Sequence, residues 1–106
     1  MKKSLIILLV LMSCATDTNR AHLRATRYLQ FKGYATKHLQ QDTLIITVDS
    51  RDYIMGGSAG IYNPETREII LLKNCPEYVA FHEWLHFFLD QIGVPCRFHH
   101  SIINGR

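Results

Sequence analysis

The stretch NCPEYVAFHEWLHFFLDQIG, residues 74–93, decides the fold of this chain. Its apolar residues recur at helical spacing, which predicts one amphipathic helix. Asn74 is the expected N-cap, Pro76 stands in the first turn, and Glu77 takes the capping-box position. Gly93 supplies the stop, so the helix should end just before it, and Pro95 is expected to prevent helix from resuming.

Two histidines and a glutamate lie inside this helix, in the order HExxH from His82 to His86. A spacing of four residues places both imidazoles on one helix face, one turn apart, where two nitrogens can meet one metal ion. Glu83 follows His82 and can reach a water at the metal. The pattern therefore predicts a zinc (Zn2+) site with His82 and His86 as ligands and Glu83 as catalytic base.

Upstream of this helix the sequence predicts an N-terminal helix, a strand and a hairpin. Apolar residues recur at helical spacing over residues 19–32, and Thr43 to Val48 is rich in β-branched residues. Two strand-like runs, Gly60 to Tyr62 and Arg67 to Lys73, flank the turn sequence Asn-Pro-Glu-Thr. The predicted class is α+β: an N-terminal helix, a small three-stranded sheet, the HExxH helix and a short tail.

The first fourteen residues have the organisation of an export signal. Two lysines precede an apolar run that ends at Met12, which is shorter than the roughly 20 residues a bilayer span needs. Residues 11–14, Leu-Met-Ser-Cys, resemble the lipobox of bacterial lipoproteins, in which the cysteine is lipidated after cleavage before it. An ordinary cleaved signal is the alternative.

This organisation divides the chain into three parts. We expect a signal peptide over residues 1–13, a lipidated Cys14 with a tether over residues 14–19, and one domain over residues 20–106. The protein would then be exported and held on a membrane by the lipid anchor. Loss of Lys2 and Lys3 lowers the formal charge from +3 to +1, so we predict no nucleic-acid partner.

Two cysteines remain in the expected domain. An exported chain lives where disulfides persist, so Cys75 and Cys96 are predicted to pair. Closing a loop of about 20 residues would stabilise the fold by roughly 3 kcal/mol. Two buried free thiols are the alternative. The two residues lack the spacing of structural zinc ligands.

On the HExxH and the order of elements, the chain resembles the zincin metallopeptidases, and among them the short ImmA/IrrE-like group. The resemblance covers residues 19–92 in organisation, whereas only the HExxH motif is a sharp match. It implies a minimal zincin-like domain that hydrolyses peptide bonds. It also implies that a peptide or protein substrate adds to an edge strand, which here points to the hairpin of residues 60–73.

A catalytic zinc site needs a third protein ligand. The metzincin continuation is absent, because Leu89 stands where its glycine would be, and no glutamate follows Glu83. His99 and His100 remain as candidates. The pair His100-Ser101 resembles the third-ligand segment of the WLM and SprT-type zincins, which favours His100.

Four residues are candidates for supporting roles. Asp90 lies four residues after His86 and is a candidate ligand, a hydrogen-bond partner that orients His86, or a surface carboxylate. Tyr62, Tyr53 or the remaining tail histidine are candidates for stabilising an oxyanion.

These features predict a zinc metallopeptidase. The alternative is a non-catalytic envelope or phage lipoprotein with a structural or vestigial metal site. A third possibility is hydrolysis of another amide, such as one in the cell wall.

Overall fold

The computed structural model describes residues 20–104, which form three helices and a three-stranded sheet. The predicted signal peptide, Cys14 and the tether lie outside the described residues. The elements follow the order α1 (20–31), β1 (Ile45–Val48), two short 3-10 turns, β2 (Gly60–Asn63), β3 (Glu68–Leu72), α2 (Glu77–Ile92) and α3 (Cys96–Ile103). The predicted α+β class is confirmed.

The sheet is mixed and has the order β1-β3-β2. β3 pairs in parallel with β1 and antiparallel with β2, and Ile61 lies opposite Ile70 in the antiparallel pair. In the connecting turn, Asn63 Oδ1 accepts a hydrogen bond from the Glu65 N–H, and Arg67 adopts a φ of 59°. The predicted hairpin is confirmed, and the sheet order makes β2 an edge strand.

The beginning of α2 differs from the prediction. The helix begins at Glu77, with Pro76 at the N-cap position and no side-chain cap. Asn74 does not cap it, because its φ of 62° places it in a left-handed turn that leads from β3 towards the helix. The end of α2 matches the prediction: Gly93 has a φ of 95°, and its N–H donates to the carbonyls of Leu89 and Asp90.

The predicted tail is a third helix. Pro95 was expected to prevent helix from resuming after Gly93, but it stands at the N-cap position of α3. Its fixed φ and missing N–H suit the first turn of a helix, where the N–H has no partner in the helix. At the other end, the Asn104 N–H donates to the His100 carbonyl.

The core lies between α1, α2 and the sheet. Fully buried side chains come from α1 (Leu29), β3 (Ile69) and α2 (Leu85, Phe88 and Leu89). α3 closes one end of this core, because the Tyr28 hydroxyl of α1 donates to the Ile102 carbonyl at 2.7 Å. Within residues 20–104, no helix has both the length and the apolar character needed to cross a membrane.

Candidate metal centre

Three histidines from two helices converge at one point. His82 and His86 lie one turn apart on α2, and their Nε2 atoms are 3.1 Å apart. His100 comes from α3, and one ring nitrogen from each of the three lies within 4.8 Å of the others. Two nitrogens bound at 2.0–2.1 Å to one tetrahedral ion are about 3.3 Å apart. The three histidines could therefore hold a metal ion with little rearrangement.

His99 has a different position from its neighbour His100. It is fully buried, and its Nε2 lies 2.7 Å from the Val94 carbonyl oxygen. A carbonyl only accepts, so His99 Nε2 carries the hydrogen and His99 Nδ1 has the lone pair. His99 Nδ1 is 2.9 Å from His86 Nδ1, which must donate to it. Both His99 nitrogens are used in these hydrogen bonds, and His99 does not belong to the three converging histidines.

Two successive hydrogen bonds, from His86 to His99 and from His99 to the Val94 carbonyl, fix the tautomer of a candidate ligand. With its hydrogen on Nδ1, His86 has its lone pair on Nε2, the atom that faces His82. An orienting hydrogen bond of this kind is what metal-binding histidines commonly have. His99 thus holds His86 with its Nε2 lone pair directed at the candidate metal position.

The surroundings keep the imidazoles of His82 and His86 neutral. Burial, together with the neighbouring imidazoles, lowers the pKa of His86 to about 3. Burial and His100 also lower the pKa of His82. Neutral imidazoles are the form that binds metals, so at neutral pH no proton has to leave these two rings first.

Glu83 lies beside the three histidines without joining them. Its side chain is buried, and burial raises its pKa to about 7, although a hydrogen bond from the Tyr62 backbone has the opposite effect. It lines the same cleft as His82 and His86. A carboxylate with a pKa near neutrality can exchange a proton with water in that cleft.

Asp90 does not orient His86, contrary to one of the predicted roles, since His86 Nδ1 is already bonded to His99. Asp90 Oδ2 accepts a hydrogen bond from the Tyr62 hydroxyl at 2.6 Å, and Arg67 Nε lies 4.0 Å from the same oxygen. Burial and Asp90 both raise the pKa of Tyr62. The Tyr62 hydroxyl is therefore directed at Asp90.

The other predicted oxyanion candidates also lie elsewhere. Tyr53 is exposed and lines a separate cavity beside Val48 and Lys73. His99, the tail histidine that does not join the cluster, is bonded to His86 and Val94. No predicted oxyanion candidate is thus directed at the cluster with a free polar group.

A cleft of about 580 Å³ gives access to the cluster. Its walls come from β2 and the following turn, from α2, and from α3. The wall of β2 lies very close to α2, because a Cβ added at Gly60 would lie 2.8 Å from Val79 Cγ1 and 3.4 Å from Glu83 Cγ. Glycine at this position lets the edge strand approach Glu83.

The predicted disulfide is not formed. Cys75 is half-buried, Cys96 is exposed, and both thiols are free. Cys75 precedes α2 and Cys96 follows it, and a helix of 16 residues is about 24 Å long. Paired cysteines need Cα atoms within about 7 Å of each other. Cys96 lines the cleft instead, while burial raises the pKa of the Cys75 thiol.

The chain matches no protein-family model, no curated protein and no solved structure. The assignment of this site as a candidate metal centre therefore depends on its geometry alone. Sequence reasoning missed α3, the role of His99 in orienting His86, and the contacts of Tyr62. A signal for α3 was present, because His99, Ile102 and Ile103 have the spacing of one helix face.

Proposed function

We propose that this protein is a zinc-dependent metallopeptidase with His82, His86 and His100 as metal ligands and Glu83 as general base. One observation carries the proposal: three imidazole nitrogens converge in an open cleft that also contains a buried carboxylate of raised pKa. A metal-binding module needs only the three imidazoles, whereas a hydrolase also needs the carboxylate.

The donor set fits zinc. Three neutral imidazoles are the ligands of a well-known type of catalytic zinc site, in which the fourth position stays open. Here the three histidines border a cleft, and no fourth side chain belongs to the converging group among the described residues. Zinc held there would supply a Lewis acid that makes water acidic and polarises a carbonyl group.

Glu83 would act as the proton acceptor. It stands next to His82 in the chain and faces the same cleft, and its raised pKa of about 7 makes it a stronger base than an ordinary carboxylate. The Tyr62 backbone lies close enough to the carboxylate to oppose part of this rise in pKa. Glu83 would take a proton from water and later return it to the amine that leaves the cleaved bond.

The edge strand β2 supports an extended peptide as the substrate. The Leu72 N–H donates to the Ala59 carbonyl, and in an antiparallel ladder the bonded residues alternate. Gly60 and Tyr62 therefore turn their backbone groups away from β3, towards the open edge, where the Gly60 carbonyl accepts a hydrogen bond from the Ser58 hydroxyl at 2.8 Å. The Tyr62 N–H faces Glu83, so the Gly60 N–H and the Tyr62 carbonyl are the groups with which a peptide could pair. A peptide could add to this edge as a further strand beside the three histidines.

Paired measurements on two glutamate variants test the proposal. We expect about one zinc per chain in the wild type and in both variants, Glu83→Gln and the control Glu77→Gln on the same helix. With a mixture of internally quenched fluorescent peptides, Glu83→Gln should lose activity by about 10²–10⁴-fold, and the control should keep it. A wild type that binds zinc without cleaving any peptide, or activity retained in Glu83→Gln, would contradict the proposal.

We further propose that the protein is exported and anchored to a membrane through lipid on Cys14. The support is the sequence of residues 1–14. Metabolic labelling with a radioactive fatty acid should label the wild type and not Cys14→Ser. Equal labelling of the two would exclude Cys14 as the lipidated residue.

A further inference from the structure

One face of α1 is basic and partly apolar, and it points away from the core. Ala21, Ala25 and Leu29 are fully buried. The opposite positions are exposed and recur at helical spacing; they are Arg20, Leu23, Arg24, Arg27, Gln30 and Phe31. We call these six residues the outer face of α1.

Charge is divided unevenly along the described chain. Residues 20–41 contain five lysines and arginines and no aspartate or glutamate, which gives +5. Residues 42–104 contain four cations and eight acids, which gives −4. The basic segment includes all of α1, so this helix forms the positive pole of a domain that is nearly neutral overall.

Most of this positive charge has no acidic partner within residues 20–104. Arg24 Nε lies 3.4 Å from Glu77 Oε1, and this is the one ion pair of α1 among the described residues. Two apolar side chains lie in the same face, since Leu23 is 48% exposed and Phe31 is 86% exposed. Arginines around exposed leucine and phenylalanine are typical of helices that lie on an anionic membrane surface.

We infer that the outer face of α1 docks on an anionic lipid bilayer. Five residues separate Cys14 from Arg20. A chain of that length reaches at most about 20 Å, so a lipid on Cys14 would hold the start of α1 close to the headgroups. Even without the lipid, the arginines would attract anionic headgroups and Phe31 would enter the interface.

The docking face is separate from the candidate metal centre. The cleft is lined by residues of the segments 58–64, 82–86 and 96–100, and by none of α1. Docking and catalysis can therefore be tested independently.

The test uses the chain from Ala15, which lacks the lipid and keeps every described element. We expect the protein to co-sediment at low salt with phosphatidylcholine vesicles that contain about 30 mol% phosphatidylglycerol. Binding should fall as salt is raised and should be absent with pure phosphatidylcholine. Equal binding to both vesicles, or none to either, would overturn the inference.

Charge-matched variants locate the surface. Arg20→Gln/Arg27→Gln should weaken binding by about tenfold or more, because each basic residue near an anionic surface contributes several-fold. Arg51→Gln/Arg97→Gln removes the same charge from exposed positions outside α1 and should leave binding within about twofold of the wild type. Equal losses in the two double variants would show a general charge effect and overturn the inference.

The apolar part of the face has its own matched pair. Phe31→Ser should weaken vesicle binding on the order of tenfold, whereas Tyr53→Ser, at another exposed aromatic, should not.

A short DNA duplex tests the competing partner class. Binding to DNA that matches or exceeds binding to the anionic vesicles, with the same loss in Arg20→Gln/Arg27→Gln, would assign the face to nucleic acid and overturn the membrane inference.

Discussion

Helices α2 and α3 bring histidines to the same point by different means. On α2, the four-residue spacing alone places His82 and His86 on one face of a helix of 16 residues. On α3, a helix of eight residues, two adjacent histidines have opposite environments: His99 is fully buried and His100 is exposed. Local periodicity positions the candidate ligands of α2, whereas packing against the rest of the domain positions the candidate ligand of α3.

The largest effect should come from the α2 ligands. His86→Ala should abolish stoichiometric zinc binding, because it removes one of two adjacent donors and breaks the bond to His99. His100→Ala should leave the α2 pair and bind zinc at least about 100-fold more weakly than the wild type. Competition with a chromophoric chelator measures both. Wild-type affinity in His100→Ala would show that α3 takes no part in the centre.

His99 should have an intermediate effect. His99→Phe keeps a buried ring but cannot accept the His86 N–H, so zinc affinity should fall about 10–100-fold with stoichiometry retained. His99→Gln keeps one donor and one acceptor and should recover part of that loss. The same chelator competition applies. If His99→Gln lost as much zinc affinity as His99→Phe, the effect would come from packing and not from the hydrogen bond to His86.

The third prediction concerns the other neighbour of α2, the edge strand. Gly60→Ala would push β2 away from Val79 and so shift the Tyr62 backbone, which lies beside Glu83. We expect peptidase activity to fall about tenfold while zinc affinity stays unchanged, since no ligand comes from β2. Zinc affinity that falls together with activity would mean that β2 also positions the ligands.

The smallest effect should be on the stability of the metal-free protein. The pKa of Glu83 is raised to about 7 in the folded state, so folding is favoured when this group is protonated and loses that contribution as pH rises from about 4.5 to 7. Glu83→Gln should therefore unfold at a temperature a few degrees higher than the wild type at pH 8. The difference should disappear at pH 4.

His86 should act on stability in the opposite direction. Its pKa is lowered to about 3 in the folded state, so its contribution is present above pH 6.5 and is lost as pH falls towards 3. Thermal unfolding of the metal-free wild type across pH 4–8 reports both groups. A difference between Glu83→Gln and the wild type that persists at pH 4 would assign the effect to something other than the charge of Glu83.

Much of the fold was predictable because it depends on local pattern. The spacing of apolar residues placed α2, the β-branched run ending at Val48 gave β1, and the turn before Arg67 gave the hairpin. α3 was missed for a physical reason. An isolated helix of eight residues is unstable in water, so its formation depends on contacts with α1 and α2 that the sequence does not display.

Part of the candidate site was also predictable from local sequence pattern. His82, His86 and Glu83 follow from one motif, and His100 was one of two candidates for the third ligand. The orienting role given to Asp90 belongs to His99. The buried His99 imidazole on α3 bonds to His86 Nδ1, whereas Asp90 accepts from the Tyr62 hydroxyl. Sequence spacing showed that Asp90 shares a face with His86, and could not show that Tyr62 would occupy its oxygen.

Tyr62 connects three parts of the centre at once. Its backbone lies beside Glu83 and lowers the pKa of that carboxyl, its hydroxyl donates to Asp90, and its ring lies parallel to that of His86, with centroids 6.4 Å apart. The hairpin therefore contacts the candidate metal centre through this one residue. A molecule that bends the hairpin from outside the cleft would change the surroundings of both Glu83 and His86, so the candidate centre could be regulated from a surface distant from it.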